Sequence, residues 1–191
     1  MRYAVNDVLG CALDDAELMA GVGTPLYDQM LHFTGGDEAR ATEITQIYRD
    51  HNDGVHDARI RAFGDTKAAL ERFQAAGIPM GVVTSKRHAM AQRGLEMSGI
   101  AGYFQFLIGH DDWPEHKPAP GPILRGCELL GTAPERSLYV GDSPFDIQAG
   151  NAAGCATAAA LWGMFPREAL AAERPTFMCD SLTELADWLG I

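Results

Sequence analysis

Apolar residues follow two different spacings in the two parts of the chain. Up to residue 61, apolar positions recur at helical intervals among charged residues, as Ile44, Ile47 and Tyr48 do. Glycine-containing stretches at 21–25 and 35–36 separate the helical patterns, and no strand pattern occurs in this part. Residues 1–61 are therefore predicted to form a small helical domain.

From residue 62 onward, short apolar runs alternate with helical patterns. The predicted strands span residues 78–83, 104–108, 137–140, 155–161 and 176–179. The predicted helices span 66–76 with Asp65 as N-cap, 86–97, 121–130, 145–153, and a last helix with a Ser181–Glu184 capping box. This alternation predicts an α/β core over residues 62–191, in which helices cover both faces of a parallel sheet. Ligands of such sheets bind beyond the carboxyl ends of the strands.

Composition narrows the class of partner. The 191 residues carry a formal net charge of −11, so nucleic acid and anionic membranes are not expected as partners. No signal peptide or apolar run of membrane-spanning length is present, and the four cysteines form no CxxC pair. A cytoplasmic protein with reduced thiols is predicted, and an anionic substrate would need a local positive site.

The first candidate turn is the stretch "GVVTSKR", residues 81–87. Thr84 and Ser85 stand where a buried strand meets a predicted helix. Hydroxyls and free backbone N–H groups at a helix N-terminus make an anion site. The alternative is that Ser85 is only a helix cap.

The second candidate turn is "EHKPAPGP", residues 115–122. Lys117 stands next to a run of three prolines that stiffens the backbone, and its ammonium could neutralise phosphate oxygens. The alternative is an ordinary solvated lysine. His110 and His116 lack the spacing of metal ligands and are expected to have ordinary surface or core roles.

The third candidate turn is "LYVGDSPFD", residues 138–146. Asp142 and Asp146 lie on either side of the start of a predicted helix. Two carboxylates repel each other and a bound anion, so their presence here suggests a divalent cation between them and the ligand. The alternative is that Asp142 caps the helix and Asp146 interacts with the helix dipole. Together the three turns supply hydroxyl, ammonium and paired carboxylates, the groups that phosphoryl transfer requires.

These motifs resemble those of phosphatases in the haloacid dehalogenase superfamily, near the phosphoglycolate phosphatase group. "VVTSK", "HKPAPGP" and "VGDSPFD" resemble the second, third and fourth motifs, and "AGVGTPLYDQM" resembles the substrate loop of the helical cap. The resemblance implies a Rossmann-like parallel sheet with a cap at residues 1–61. It also implies that Thr84 or Ser85 binds the phosphoryl group, that Lys117 steadies it and that Asp142 ligates Mg²⁺ with Asp146 nearby. In the cap loop Gly23 and Thr24, with Pro25, would contact a small phosphorylated metabolite; the alternative is that they form a plain turn.

The family's first motif, DxDGT, is not found in this sequence. It should lie on the first, central strand, and its first aspartate is the nucleophile. The stretch "NDVLGCALDD" places Asp7 at that position but has Leu9 and Cys11 where the acid and the threonine belong. We interpret this stretch as cap helix, so that a strand, a loop and most of a helix, on the order of 20 residues, would be missing.

Loss of a central strand would leave a gap of about 10 Å, twice the usual strand spacing. Each unpaired buried backbone group would cost about 1–3 kcal/mol. The hypotheses are that the sequence starts downstream of the true N-terminus, or that the gap is filled. Arg2–Val5 as a strand, a neighbouring chain through self-association, or a rearranged sheet edge could fill it.

The leading functional prediction is a Mg²⁺-dependent phosphatase for small phosphate esters that, in this chain, lacks its nucleophile and is inactive. One alternative is a non-catalytic phosphate-binding or interaction protein derived from such an enzyme. Another is a dehalogenase or phosphomutase of the same superfamily.

Overall fold

The computed structural model describes residues Met1–Ile191 as two compact units, Met1–Ile60 and Arg61–Ile191. The first unit contains helices and no named strand, apart from an isolated bridge between Val22 and Thr24. Its elements are a π-helix at Tyr3–Val8, α1 at Asp15–Met19, α2 at Leu26–Phe33 and α3 at Glu38–Arg59. None of the helices in the chain combines the length and the hydrophobicity needed to cross a bilayer.

Local caps and an apolar core explain the helices of the first unit. Asp14 and Glu17 form a capping box at α1, and the Asp37 carboxylate accepts from the Arg40 N–H at the start of α3. The fully buried side chains of this core are Ala4, Val5, Leu18, Met30, Ala41 and Ile44.

The hypothesis that Arg2–Val5 forms a strand is wrong. The backbone enters the π-helix at this point, and the Val5 N–H donates to the Met1 carbonyl. Ala4 and Val5 are buried in the core of the first unit. A segment whose backbone groups and side chains are used in this way cannot also pair within a sheet.

The second unit alternates strands and helices. Its strands are β1 at Val82–Val83, β2 at Leu107–Ile108, β3 at Leu138–Gly141, β4 at Ala156–Ala160 and β5 at Phe177–Cys179. Its helices are α4 at Thr66–Ala75, α5 at His88–Met97, α6 at Gly121–Leu130, α7 at Pro144–Ala152, α8 at Arg167–Ala172 and α9 at Leu182–Trp188, with 3₁₀ turns at Ala101–Tyr103 and Pro134–Arg136. All strand pairs are parallel, which confirms the predicted α/β class.

The strands are shorter than predicted, although their hydrogen bonds extend further. The Gln105 N–H donates to Met80 and the Thr84 N–H donates to Ile108, so pairing between β1 and β2 continues past the two-residue strands. A run of apolar residues indicates a buried, extended segment, but it does not show at which residue the regular strand geometry ends.

The strands form two separate sheets, β1–β2 and β3–β4–β5. The Val82 N–H donates to the carbonyl of Phe106, the residue just before β2. In a parallel ladder the backbone groups of successive residues point to opposite sides, so those of Val83 point away from β2. Just before β3, the Ser137 carbonyl accepts from the Ala156 N–H. By the same alternation, the backbone groups of Val140, three residues later, point away from β4. The Tyr139 hydroxyl donates to the Val83 carbonyl at 3.3 Å and connects the two free edges.

Burial along the strands agrees with these free edges. β4, which has a partner on each side, is buried from Thr157 to Ala160. Every residue of β1 and β3 is only half-buried. The two edges that face each other are therefore more accessible than the fully paired strand.

The first and last helices of this unit are joined by polar contacts that the sequence did not predict. Asp65 precedes α4 without capping it, because its carboxylate accepts from the Thr183 N–H at 2.9 Å and from the Thr183 hydroxyl at 3.2 Å. The predicted capping box of α9 forms only in half. Ser181 accepts from the Glu184 N–H, whereas the Glu184 carboxylate accepts from the Asp180 N–H.

Candidate active site

The predicted turns follow the carboxyl ends of β1, β2 and β3. Thr84 and Ser85 follow β1, Lys117 lies in the loop after β2, and Asp142 follows β3. A pocket open to solvent is lined by Val83, Thr84, Ser85, Ile108, Gly109, His110, Glu115, His116, Lys117 and Pro122. The structure thus brings Thr84, Ser85 and Lys117 to one pocket.

Lys117 and Asp146 form a buried ion pair behind this pocket. The Asp146 Oδ1 atom accepts from the Lys117 ammonium, and the Tyr139 hydroxyl, 3.3 Å from both Oδ1 and the Val83 carbonyl, shares its one proton between these two acceptors. Its Oδ2 atom accepts from the Ser143 N–H at 3.1 Å and from the Ser143 hydroxyl at 2.7 Å. Both carboxylate oxygens are therefore engaged, and the pair fixes the position of the ammonium.

The protonation states follow from these contacts. Burial alone would lower the pKa of Lys117, but attraction to Tyr139 and Asp146 outweighs it and raises the pKa. Burial alone would raise the pKa of Asp146, but the Lys117 ammonium and the hydrogen bonds from Ser143 lower it. Burial, together with the Asp146 charge, raises the pKa of Tyr139 to about 12 despite the opposing charge of Lys117. At neutral pH the site holds an ammonium, a carboxylate and a neutral phenol.

A capping box and a close backbone approach position Asp146. Ser143 is the N-cap of α7 and forms the box with Asp146, so the predicted capping role belongs to Ser143 and not to Asp142. A Cβ atom added at Gly141 would lie 2.2 Å from the Asp146 Cβ atom. The glycine in "VGD" therefore allows β3 to pass directly beside this carboxylate.

Asp142 lies at the solvent-accessible side of the site. Although the residue is exposed, neighbouring protein displaces water from its carboxylate and raises its pKa, and the negative charge of Asp146 raises it further. A Cβ atom added at Gly163 would lie 2.2 Å from the Asp142 Cβ atom, so the loop after β4 also packs against this residue.

The residues present fit a magnesium ion held mainly by its substrate. No group of three or more His, Cys, Asp or Glu side chains could form a protein cage for a metal. Mg²⁺ commonly binds through one or two carboxylates, several waters and substrate phosphates. Asp142, whose charge is disfavoured beside Asp146, offers one such carboxylate, whereas the oxygens of Asp146 are already engaged with Lys117, Tyr139 and Ser143.

Gly23 and Thr24 lie in the first unit, between α1 and α2. The Thr24 hydroxyl donates to the Gly21 carbonyl at 2.7 Å, and the Gln29 side chain donates to the Thr24 carbonyl at 2.9 Å. These contacts are those of a local turn, and a substrate role for both residues stays a prediction. Asp7 is exposed on the π-helix and not at a strand end.

Tyr139, His110 and His116 were not assigned to the site from the sequence. Tyr139 reaches Val83, Asp146 and Lys117 from within β3, and nothing in the spacing of the motif signals this. His110 and His116, expected in ordinary roles, both line the pocket with their rings stacked 4.1 Å apart. They come from the loop after β2 that also carries Lys117, and this shared loop was the only available signal.

Comparisons with known proteins identify the family of the chain. Residues 2–160 match the model of the haloacid dehalogenase-like hydrolase family. Pyrophosphatase PpaX of Anoxybacillus flavithermus is 33% identical over 175 residues, covering 92% of this chain and 80% of that protein. Pyrophosphatase PpaX of Oceanobacillus iheyensis is 32% identical over 174 residues, covering 91% and 80%.

Solved structures show the same fold. A predicted phosphoglycolate phosphatase from Haemophilus somnus matches with a TM-score of 0.85 at 24% identity, covering 97% of this chain and 88% of the other. A haloacid dehalogenase-like family hydrolase from Streptococcus pneumoniae matches with a TM-score of 0.82 at 23% identity, covering 97% and 87%. Because the family model matches residues 2–160 and relatives above 30% identity cover more than 90% of the chain, the chain belongs to the haloacid dehalogenase-like hydrolase family.

Proposed function

We propose that this protein is a Mg²⁺-dependent phosphatase-type protein whose pocket binds the phosphoryl group of a small phosphorylated metabolite. The observation that carries the proposal is the buried Lys117 ammonium, held by Asp146 at a pocket that Thr84 and Ser85 also line. A fixed cation is notable in a chain of net charge −11, because it provides the local positive site that an anion requires. The relatives named pyrophosphatase PpaX support this substrate class.

Each side chain has a distinct role in the proposal. Thr84 and Ser85 donate hydrogen bonds to phosphoryl oxygens close to the N-terminal end of α5, where the helix dipole favours negative charge. Lys117 neutralises charge on the phosphoryl group, and Asp146, Ser143 and Tyr139 hold the lysine in place. Asp142 ligates Mg²⁺, which supplies further neutralisation of the phosphate. The helical first unit, with Gly23 and Thr24, acts as the cap that selects the substrate.

The pocket lacks an evident nucleophile. Glu115 is the only carboxylate among the lining residues, and it does not follow a strand directly. Without an aspartate among the lining residues, nothing in the pocket forms an aspartyl-phosphate. We therefore propose that the 191-residue chain binds phosphate but turns over phosphate esters at a negligible rate. This leaves a non-catalytic phosphate-binding protein as the second candidate.

One set of measurements tests both parts. The chain is assayed with Mg²⁺ against p-nitrophenyl phosphate and phosphoglycolate, and orthophosphate binding is measured by calorimetry for the wild type and for Lys117→Met. We expect no turnover above background, with binding that Lys117→Met weakens by about tenfold or more. Robust hydrolysis would overturn the inactivity, and wild-type protein that binds no phosphate would overturn the site itself.

A further inference from the structure

Two buried cysteines contact each other near the amino end of β4. Cys127 lies in α6, and Cys155 directly precedes β4. Their Sγ atoms are 3.8 Å apart, so that one thiol donates to the other. Both residues are buried, and all four cysteines of the chain are free thiols. Because β3 and β4 run parallel, this end of the sheet lies opposite the strand end that carries Asp142.

The surroundings of the two thiols are apolar. Their buried neighbours are Ile123, Ala149 and Ala153, and the half-buried Tyr139 packs against the same cluster. Structural zinc takes four ligands, and no group of three or more His, Cys, Asp or Glu side chains could hold a metal here. The chemistry that fits two thiols in contact is therefore oxidation to a disulfide.

Hydrogen bonds connect the segments that carry the two cysteines. The Thr132 N–H donates to the Cys127 carbonyl at 3.0 Å, and the hydroxyls of Thr132 and Ser137 are 2.8 Å apart. The Ser137 carbonyl accepts from the N–H of Ala156, the residue after Cys155. The backbone therefore holds the two sulfurs close to each other. They need to approach by about 1.8 Å to reach the bonding distance of about 2 Å.

Burial determines which reagents reach the pair. Loss of water, together with the neighbouring Cys127 sulfur and the charge of Glu135, raises the pKa of the Cys155 thiol to about 12. This thiol is protonated at neutral pH, and the thiolate is the reactive form. Reaction is therefore slow, and burial favours an oxidant as small as a peroxide over a bulky disulfide reagent.

We propose that Cys127 and Cys155 form a site of reversible oxidation, at which hydrogen peroxide converts the two thiols into a disulfide that joins α6 to β4. The inference is independent of the proposed phosphatase function, because neither cysteine lines the phosphate pocket.

The reaction has two steps. One sulfur attacks hydrogen peroxide as the thiolate, the O–O bond breaks, and the sulfur becomes a sulfenic acid while one water leaves. The other sulfur then attacks the sulfenic sulfur, the S–O bond breaks, and a second water leaves as the disulfide forms. The two sulfurs lose two electrons in total, which reduce the peroxide, and both thiol protons end in water.

Peptide mapping after peroxide treatment of the folded chain tests the inference. The remaining thiols are blocked with N-ethylmaleimide in urea, and the protein is digested with trypsin. Cleavage after Arg136 separates the two cysteines into peptides 126–136 and 137–167, each of which contains one cysteine. We expect these two peptides to be linked by a disulfide, and the free thiols to fall from four to about two per chain.

Two variants show which thiols react. Cys127→Ala removes one partner and should give no linked peptide. The control Cys11→Ala changes a thiol of the first unit and should leave the yield of the linked peptide unchanged.

Thermal denaturation measures whether the disulfide fits the folded packing. The bond joins positions 28 apart and restricts the unfolded chain, so the treated wild type should melt about 5 °C or more above the same sample after dithiothreitol. Dithiothreitol reduces the disulfide but leaves methionine sulfoxides oxidised, so this comparison isolates the effect of the disulfide.

Each outcome decides the inference. Wild-type protein that keeps four thiols after peroxide treatment, or that forms sulfinic acids or another disulfide in place of this link, would overturn it. Linked protein that melts below its reduced form would also overturn it, because the bond would then not fit the folded packing. Both measurements use the wild type and do not depend on whether a variant folds.

Discussion

At the scale of single residues, the ion pair of Lys117 and Asp146 organises the site. Both side chains are almost fully buried, and their partners, Tyr139 and Ser143, complete the hydrogen bonding of the carboxylate. A buried pair of this kind gives little net stability but becomes costly when one partner is removed.

The Asp146→Asn substitution should therefore destabilise the fold by about 3 kcal/mol, because the buried ammonium loses its counter-charge. Urea denaturation of Asp146→Asn, Lys117→Met and the double variant measures this. The double variant should lose less than the sum of the two single losses. Arg125→Ala, which removes an exposed partner of Glu128, is the control and should cost less than about 1 kcal/mol.

The same pair sets a pH dependence. The pKa of Asp146 is lowered from its ordinary value of 3.8, so its stabilising contribution is present above 3.8 and is lost as the pH falls through the folded value. The difference in stability between wild type and Asp146→Asn should shrink over that acidic range. A difference that stays constant down to the folded pKa would show that charge is not its cause.

The candidate site residues were predictable where their location depended only on the strand and the helix next to them in the sequence. Thr84, Ser85 and Lys117 were predicted from strand-to-helix turns, and the fold brings them to one pocket. The partnership of Tyr139 with Asp146 was not predictable, because it depends on how β3 and α7 pack, and on the absence of a Cβ atom at Gly141.

At the scale of elements, the free edges of β1 and β3 are the unusual feature. The sequence located both strands, but periodicity carries no information about which strands become neighbours. The two edges meet through one side-chain hydrogen bond, from Tyr139 to Val83.

Amide hydrogen exchange should distinguish the free edges from the paired ones. The amides of Val83 and Val140 face away from β2 and β4 and should exchange faster than those of Val82 and Thr84, by on the order of 100-fold. Val82 and Thr84 donate to Phe106 and Ile108 and act as internal controls. Strong protection at Val83 and Val140, particularly if it rises with protein concentration, would mean that another strand occupies the edges.

At the scale of the whole molecule, the chain comprises a helical unit and an α/β unit, each with its own core. The alternation of apolar runs with helical patterns was sufficient to predict the α/β class. The contact that joins α4 to α9 was not predictable, because Asp65 and Thr183 are 118 positions apart, and the rule for helix caps favoured a local partner for Asp65.

The Asp65→Ala substitution should lower the free energy of unfolding by about 1–3 kcal/mol, because the Thr183 N–H and hydroxyl both lose their acceptor. Thermal denaturation followed by circular dichroism measures the change. The matched variant Asp187→Ala removes an exposed partner of Arg72 on the same pair of helices and should cost under about 1 kcal/mol. If the two variants lose equal stability, the Asp65 contact has no special role.

The same joined helices determine where the chain can be attached to a surface. The Arg72 side chain donates to the carbonyl of Ile191, which holds the C-terminal residue against α4. Since α9 follows β5, it runs back toward the edge of the sheet opposite the strand ends that carry Thr84 and Asp142. A biotin or sensor-chip linker placed after Ile191 would therefore lie away from the strand ends that carry Thr84 and Asp142, and immobilised protein could be used to test small anions for binding.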